Sequence, residues 1–256
     1  MDILKKDIHD YWNKRSESYS EINKIELRGQ RSRLWETELL SLIRAAFPNR
    51  DNKDIKILDI GTGPGIFSIL MARNGFEVCG IDASEDMLAQ AGANAGEYAD
   101  KICFRQMDAE KLDFADDTFD VILMRNVTWN LENPLECYSE WHRVLRPDGR
   151  LIIFDANWYL YLFDQIKSRE YEQDRENVKE EGLEDFNVGE GFDRMEQIAK
   201  VLPLSKEIRP DWDQKALIAC GSSKVFSDVD VWKRVWDHEE QINFASTPMF
   251  LIQAVK

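Results

Sequence analysis

Three glycines that follow a short apolar run are the feature that most constrains the fold of this chain. Residues 57–65 read Ile-Leu-Asp-Ile-Gly-Thr-Gly-Pro-Gly, and residues 66–70 continue with an apolar, helical pattern. A strand, a glycine turn and a helix in this order present bare backbone at the carboxyl end of a parallel strand, because no Cβ blocks the approach of a ligand. The turn therefore predicts a site for a nucleotide-like ligand.

The spacing of the glycines narrows the class of ligand. Gly61, Gly63 and Gly65 form G-x-G-x-G, which is one residue short of the dinucleotide fingerprint G-x-G-x-x-G. The turn also lacks the Lys-Ser or Lys-Thr pair of a phosphate-binding loop. We therefore expect an adenosine-containing cofactor without a pyrophosphate.

A carboxylate follows the next predicted strand. Residues 77–81 form a short apolar run, and Asp82 stands at its end. In a doubly wound sheet, a carboxylate at this place can accept hydrogen bonds from both hydroxyls of a ribose. Ser84 is a better N-cap for the helix that follows, which leaves Asp82 free for a ligand.

The composition bounds the domain count and excludes one class of partner. A chain of 256 residues with 43% hydrophobic residues can bury one sizeable core, so we expect one domain over 1–256. The formal net charge of −15 argues against nucleic acid, because phosphate contacts need clustered Lys and Arg. No run resembles a signal peptide or reaches the length of a membrane span, which predicts a soluble, cytoplasmic protein.

The cysteines and histidines give no support to a metal site. Cys79, Cys103, Cys137 and Cys220 lack C-x-x-C spacing, and the three histidines are far apart in sequence. Buried free thiols are the expected role of cysteines in predicted strands. We predict neither a disulfide nor a bound metal ion.

Alternating strands and helices predict an α/β fold with a doubly wound, parallel sheet. The predicted strands are 55–60, 77–81, 102–106, 119–124 and 150–155, with later strands near 224–228 and 249–255. The predicted helices between them are 64–73, 84–95 and 133–145. Two helices precede the sheet, one from Leu4 to about Tyr19 and one that ends near Ala46, so residues 1–50 form an N-terminal helical cap.

An ordered set of motifs over residues 55–155, together with the closing strand 247–255, resembles the class I S-adenosylmethionine-dependent methyltransferases. Within that class, the motifs are most similar to the small-molecule branch that includes ubiquinone and menaquinone biosynthesis methyltransferases. The resemblance implies a seven-stranded sheet whose last strand is reversed, with S-adenosylmethionine as cofactor. It is carried by the segments 58–65, 80–84, 107–109, 114–122 and 140–149.

The resemblance also implies which residues contact the cofactor and the acceptor. The implied cofactor-binding residues are Asp59, Gly61, Thr62, Gly63, Gly65, Asp82, Ala83, Met87, Asp108, Ala109 and Asn126. The implied catalytic residues, which wall the methyl group and the acceptor, are Tyr19, Trp129 and Asn130. One of Arg28, Arg31 and Arg33 is a candidate for the cofactor carboxylate.

Several of these residues have a competing structural interpretation. Met87 lies beside the apolar Leu88 and is equally a candidate for the core, while Asp108 is also suited to a turn. Trp129 is equally well explained as a packing residue. Asp155 and Asn157 follow the fifth strand, where each is able either to touch the acceptor or to cap a helix or turn.

Residues 156–209 are predicted to be an insertion that acts as a lid. Trp158, Tyr159, Tyr161 and Phe163 make its start unusually aromatic. These rings are suited either to lining an apolar pocket or to forming the buried stripe of a lid helix. The charged segment 164–185 is predicted to be a helix with a solvated face.

A methyltransferase acting on a small-molecule acceptor is the leading functional hypothesis. Transfer from a sulfonium depends mainly on alignment and exclusion of water. The sequence lacks the Asn/Asp-Pro-Pro-Tyr/Phe tetrapeptide that serves methylation of exocyclic nitrogens, which favours a small molecule. The alternatives are a nicotinamide-dependent oxidoreductase and a non-catalytic cofactor-binding module that docks a protein partner.

Overall fold

A seven-stranded sheet flanked by helices organises the computed structural model, which describes residues 3–188 and 191–256. The strands are β1 Lys56–Ile60, β2 Glu77–Asp82, β3 Ile102–Gln106, β4 Phe119–Arg125, β5 Leu145–Asp155, β6 Lys224–Asp228 and β7 Phe250–Val255. The α-helices of the described residues are α1 Ile3–Arg28, α2 Gln30–Ala46, α3 Ile66–Arg73, α4 Glu85–Ala95, α5 Pro134–Val144, α6 Gln165–Glu180, α7 Phe192–Ala199, α8 Asp211–Ala219, α9 Trp232–Val235 and α10 His238–Asn243.

The order of the strands places one crevice at the middle of the sheet. The order is β3-β2-β1-β4-β5-β7-β6, with β1 to β5 pairing in parallel and β7 antiparallel to both of its neighbours. This topology confirms the predicted doubly wound, mostly parallel sheet with a reversed last strand. Because the order changes direction at β1 and β4, the loops that follow β1, β2 and β4 border the same crevice.

Alternating residues of the central strands supply the cores on the two faces of the sheet. Ile57 of β1 packs with the core that contains Trp35 and Phe67, whereas Leu58 packs on the opposite face with the core that contains Tyr138. All five side chains are buried. Helices therefore cover both faces, as expected for parallel strands that read as continuous apolar runs.

The first helix is longer than the sequence pattern predicts. We expect a helix from Leu4 to about Tyr19, but α1 continues to Arg28 and spans 26 residues. No glycine or proline interrupts the chain before Gly29, which separates α1 from α2. Among the described residues, no helix is both long enough and apolar enough to cross a bilayer.

The turn in the first half of β5 is a bulge in the strand. Leu145 pairs with Phe119, and the next pair joins Arg150 to Val121. The residues between Leu145 and Arg150 therefore loop out of the ladder, with Asp148 in the left-handed region at φ 61°. The predicted sharp turn is present, but the strand begins at Leu145 rather than at residue 150.

A buried ionic cluster joins the end of the insertion to the sheet. The Arg209 guanidinium donates to both carboxylate oxygens of Asp213, at 2.9 and 2.8 Å, and lies 3.3 Å from a carboxylate oxygen of Asp155. These three side chains are fully buried. Arg209 and Asp155 also bond to the Thr128 hydroxyl, which lies in the loop after β4.

Asp155 and Asn157 anchor the chain and do not reach a ligand cavity. Asp155 accepts hydrogen bonds from the backbone of Trp129 and of Ala156, and Asn157 exchanges two hydrogen bonds with the backbone of Arg209. Neither side chain lines the cavity described below. Of the two interpretations of these residues, the structure supports capping and anchoring.

We predict that Arg209→Met lowers the free energy of unfolding by about 3–5 kcal/mol, because it leaves the buried carboxylates without their cation. The matched control is Lys167→Met, which breaks an exposed pair between Lys167 and Glu170 on α6. That pair is worth less than about 1 kcal/mol. Urea denaturation measures both changes, and equal losses for the two variants would contradict the prediction.

Candidate functional site

A cavity of about 510 Å³ lies at the carboxyl ends of β1, β2 and β4. The turn after β1, the loops after β2, β3 and β4, and one face of α1 form its walls. Of the residues predicted to bind a ligand, those that line it are Tyr19, Gly61, Gly63, Asp82, Ala83, Met87, Asp108, Ala109, Asn126 and Asn130. The remaining predicted residues, Asp59, Thr62, Gly65 and Trp129, do not line it.

Asp59 supports the glycine turn from beneath. One carboxylate oxygen of Asp59 accepts from the Thr62 hydroxyl at 2.6 Å, from the Ser68 amide at 2.9 Å and from the Ser68 hydroxyl at 2.7 Å. Burial raises the pKa of Asp59 to about 6, although these hydrogen bonds favour the charged form. Asp59 and Thr62, which we expected to bind the cofactor, therefore shape the turn and do not line the cavity.

Gly61 is needed because the chain turns closely against the loop after β4. Its φ is +62°, and a Cβ built on it would lie 2.5 Å from Cγ2 of Val127. Gly65 also has a positive φ, of +95°, and a Cβ there would lie 3.1 Å from Cβ of Ala91. Gly65 therefore allows α3 to begin close to α4 and faces that helix instead of the cavity.

Asp82 points into the cavity and is bonded to the glycine turn. One of its carboxylate oxygens accepts from the Gly63 amide and the other from the Ser84 amide, each at 2.9 Å. Ser84 caps α4 by accepting from the Met87 amide, as the sequence predicts. Burial raises the pKa of Asp82, while the two amides oppose that shift. Each oxygen keeps a further lone pair for a ligand hydroxyl.

The loops after β2 and β3 form the wall that the resemblance assigns to adenine. Met87 is 2% exposed in the protein but has its side chain against the cavity. Asp108 lies half-exposed at the cavity edge, where it accepts from Lys5 at 2.9 Å and from the Glu110 amide at 2.9 Å. The carbonyl of Ala109 accepts from Trp141 at 2.9 Å, which fixes this loop on α5.

Two amides from the loop after β4 face the cavity. The Oδ1 atoms of Asn126 and Asn130 are buried and have no hydrogen-bond partner among the described residues. Asn126 has the left-handed φ of 59° and lines the cavity together with Tyr19. Burial raises the pKa of Tyr19, so its hydroxyl stays protonated at neutral pH.

The prediction that Trp129 contacts the acceptor is wrong for this structure. Its ring is buried between Tyr159 and Met195, and its indole nitrogen donates to the carbonyl of Asn126 at 2.9 Å. The 3-10 turn over Thr128–Asn130 directs Trp129 away from the cavity while its neighbour Asn130 faces in. Of the two roles considered for Trp129, the structure therefore supports packing. Its hydrogen bond to the Asn126 carbonyl also positions Asn126.

Arg125 is the arginine of the cavity, and sequence reasoning missed it. It donates to both carboxylate oxygens of Glu26, at 2.5 and 3.1 Å, and its guanidinium lies 5.2 Å from the centre of the Trp35 ring. Burial disfavours its charge, but the Glu26 carboxylate outweighs this effect and raises the pKa of Arg125. The sequence signal that could have identified it is an arginine directly after the apolar residues of β4.

The arginines that we expected at the cofactor do not line the cavity. Arg28 and Arg33 are exposed on α1 and α2. Arg31 is bound to Asp237 at 2.5 Å, on the side of α2 that faces α10. None of the three lines the cavity, and for Arg28 and Arg33 the structure supports the alternative of surface exposure.

Helix α1, rather than the insertion, covers the cavity. Lys5, Ile8, His9 and Trp12 line it together with Tyr19. The first four positions repeat at the i, i+3, i+4 and i+7 spacing of one helix face, a signal that was present in the sequence. Among the described residues of 156–209, none lines the cavity, so the described walls give no support to the predicted lid role of this segment.

The insertion supports α1 from behind. Met195, Ile198 and Leu202 form a buried cluster with Trp129, and the partly buried Ile8 and other α1 side chains pack against it. The aromatic start of the insertion is internal, because Trp158 packs on Phe244, Tyr159 on Trp129 and Tyr161 on Tyr171. Phe163 is exposed.

Comparison with solved structures shows that this fold is shared with a known structure. The crystal structure of a putative S-adenosylmethionine-dependent methyltransferase from Methanococcus maripaludis matches with a TM-score of 0.60. The match covers 95% of this chain and 93% of that one at 21% sequence identity.

Sequence comparison finds similarity at the centre of the chain. Residues 58–153 match the family model described as a methyltransferase domain. A ubiquinone biosynthesis O-methyltransferase from Parvibaculum lavamentivorans is 37% identical over 108 residues, which cover 42% of this chain and 43% of that protein. The ubiquinone/menaquinone biosynthesis C-methyltransferase UbiE from Paracoccus denitrificans is 29% identical over 150 residues, or 58% of each. The chain thus spans about half the length of these curated relatives.

We predict that Gly61→Ala destabilises the fold by on the order of 2–4 kcal/mol, because it combines a positive φ with a clash against Val127. The control is Gly92→Ala on α4, where a Cβ meets nothing within 4 Å. It should stabilise the protein by about 0.5–1 kcal/mol. Chemical denaturation measures both, and Val127→Ala should recover part of the loss in the Gly61→Ala background.

We predict a pH-dependent difference between Asp59→Asn and the native protein. Because burial raises the pKa of Asp59 from 3.8 to about 6, the native state binds its proton more tightly than the unfolded state. The native protein therefore loses stability relative to the variant as pH rises from about 4 to about 6, by on the order of 3 kcal/mol. Urea titrations across this range measure the difference, and a constant difference would contradict the prediction.

Proposed function

We propose that this protein is a methyltransferase that binds S-adenosylmethionine in the cavity and methylates a small-molecule acceptor. The observation that carries the proposal is the direct hydrogen bond between Asp82 and the Gly63 amide. This bond joins a ribose-type carboxylate to bare backbone on one cavity wall, which is the arrangement that a nucleoside needs. The methyltransferase domain at 58–153 and the class I fold support the same function.

The residues of the cavity fit this cofactor. Asp82 would hold the ribose, with Met87 against the adenine face and Asp108 beside the adenine edge. Gly61 and Gly63 would let the methionine part pass close to the turn, next to the Oδ1 of Asn126, which has no hydrogen-bond partner in the described part of the chain. When bound, the sulfonium supplies a methyl carbon for in-line transfer to a nucleophile.

The chain's own contribution to the reaction is alignment and exclusion of water. Trp12 and Tyr19 of α1 close the cavity over the region between Asn126 and Asn130, where the acceptor would lie. Removal of water and fixed alignment lower the barrier of a displacement that needs no metal-bound nucleophile. The protonated Tyr19 hydroxyl serves as a wall and a hydrogen-bonding group rather than as a base.

We also propose the cytoplasm as the place of action. All four cysteines are free thiols, and Cys79 and Cys137 are buried. Unpaired thiols are typical of a reducing compartment.

The domain boundaries that we propose remain one domain over 1–256, a helical cap over 1–50 and an insertion over 156–209. We propose that the cap, rather than the insertion, covers the cavity.

We predict that S-adenosylhomocysteine and S-adenosylmethionine bind and that Asp82→Asn weakens both about ten-fold or more. The variant keeps the shape of the side chain but removes a charge that accepts hydrogen bonds, worth about 1.5–3 kcal/mol. Isothermal titration calorimetry measures the affinities. Asp86→Asn, on the exposed side of α4, is the matched control and should bind as the native protein does.

Two outcomes would count against the proposal. Binding of NAD(H) in place of the sulfonium cofactor would favour the oxidoreductase alternative. Tight cofactor binding with no labelled product from pools of amines, phenols, thiols and acids would favour the non-catalytic module.

A further inference from the structure

Two of the four cysteines lie side by side in neighbouring strands of the sheet. Cys79 of β2 and Cys103 of β3 are direct partners in the register of this parallel pair. The partners just before them, Val78 and Ile102, both pack in the core that contains Trp35. Because successive side chains of a strand alternate between the two faces of a sheet, Cys79 and Cys103 both point to the opposite face.

The spacing of the two strands suits a cross-link between these thiols. Neighbouring strands lie about 4.7–4.9 Å apart, and Cα atoms that are joined through a disulfide are usually about 4.4–6.8 Å apart. The two Cβ atoms need to approach each other to about 3.5–4.5 Å. Because β3 is an edge strand of the described sheet, it can make this short approach to β2 without breaking a second ladder.

The two thiols differ in their access to solvent. Cys103 is exposed, whereas Cys79 is 8% exposed and packs in the core that contains Tyr138. Burial raises the pKa of Cys79 to about 12, and the neighbouring Cys103 adds to this shift. The thiolate, rather than the thiol, is the nucleophilic form of cysteine. A reagent in solution therefore meets Cys103 first, while Cys79 remains a protonated thiol behind it.

The other two cysteines lie outside the sheet. Cys137 is buried on α5. Cys220 directly follows α8, is partly exposed, and has its sulfur 3.4 Å from the hydroxyl of Ser139. These two thiols therefore serve as internal controls for the reactivity of the pair in β2 and β3.

We propose that Cys103 and Cys79 form a reversible oxidation site, which closes to a disulfide between β3 and β2 when a hydroperoxide reacts with Cys103. First, the sulfur of Cys103 forms an S–O bond as the O–O bond breaks, which gives a sulfenic acid and releases water or an alcohol. The sulfur of Cys79 then forms the S–S bond as the S–O bond breaks. The leaving hydroxide takes the proton of the Cys79 thiol and departs as water, so two electrons have passed from the sulfurs to the peroxide.

The exposure of Cys103 makes this disulfide reducible. Exposed disulfides are more easily reduced than buried structural ones. A glutathione thiolate attacks the sulfur of Cys103, which forms a mixed disulfide and releases Cys79 as a thiol. A second glutathione then restores Cys103 and leaves as glutathione disulfide. The reduced pair of the structure and the oxidised pair are thus two forms of one site.

Peptide mapping of the full chain tests the proposal. The native protein is oxidised with hydrogen peroxide, its remaining thiols are alkylated under denaturing conditions, and mass spectrometry identifies the cross-links. We expect one main cross-link, between Cys79 and Cys103, which reduced glutathione removes. A Cys103 sulfinic acid without this cross-link, a main cross-link through Cys137 or Cys220, or a cross-link that persists in glutathione would overturn the proposal.

Single substitutions separate the roles of the two thiols. In Cys79→Ala, oxidation of Cys103 should stop at the sulfenic acid, which dimedone traps in about ten-fold greater yield than in the native protein, because the second thiol is missing. In Cys103→Ser, Cys79 should stay reduced, because it is buried. Equal dimedone labelling of Cys79→Ala and the native protein, or oxidation of Cys79 in Cys103→Ser at the native rate, would refute the assignment.

Cys220→Ser is the matched control, because it removes a partly exposed thiol and leaves the pair intact. It should give the native yield of the cross-link, and a loss as large as that in Cys103→Ser would contradict the assignment. Cys103→Ser changes an exposed side chain, so its test stands even if Cys79→Ala lowers the stability of the core. None of these measurements uses S-adenosylmethionine or an acceptor, so their outcome is independent of the proposed function.

Discussion

The fold of the site depends on one buried carboxylate. Asp59 gathers three hydrogen bonds from Thr62 and Ser68 onto a single oxygen and so ties the glycine turn to the start of α3. The cost of burying this group appears as its raised pKa. Gly61 and Gly63 are able to present bare backbone to the cavity only because this tie holds the turn open beside β1.

Hydrogen bonds connect the glycine turn to the rest of the cavity wall. Gly63 donates to Asp82, and Asp82 in turn receives the amide of Ser84, which caps α4. On the other side, Val127 fills the space that a Cβ on Gly61 would need. The turn after β1 thus sets the positions of the loops after both neighbouring strands, which explains why one short segment carries so much information about function.

The parts that were predictable from sequence are those that local spacing determines. The alternation of strands and helices and the cap at Ser84 follow from patterns within a few tens of residues, whereas the reversed last strand is implied by the resemblance of the ordered motifs. The position of Arg125 does not, because its burial depends on Glu26, which lies on α1 far away in sequence. Trp129 and Asn130 show the same limit: they are neighbours in one short turn, and only tertiary packing decides which faces the cavity.

Apolar packing contributes more than ion pairs to holding α1 over the cavity. Lys5 ties the first turns of the helix to Asp108 and Glu110, but these pairs are partly exposed and each is worth no more than about 1 kcal/mol. Full burial of one large apolar side chain is worth about 1.5–3 kcal/mol. Four partly buried side chains of α1 (Leu4, Ile8, Tyr11 and Trp12) pack on the cluster that contains Met195, so together they outweigh the ion pairs. The insertion, although it contributes no described residue to the cavity, therefore sets the position of the helix that closes it.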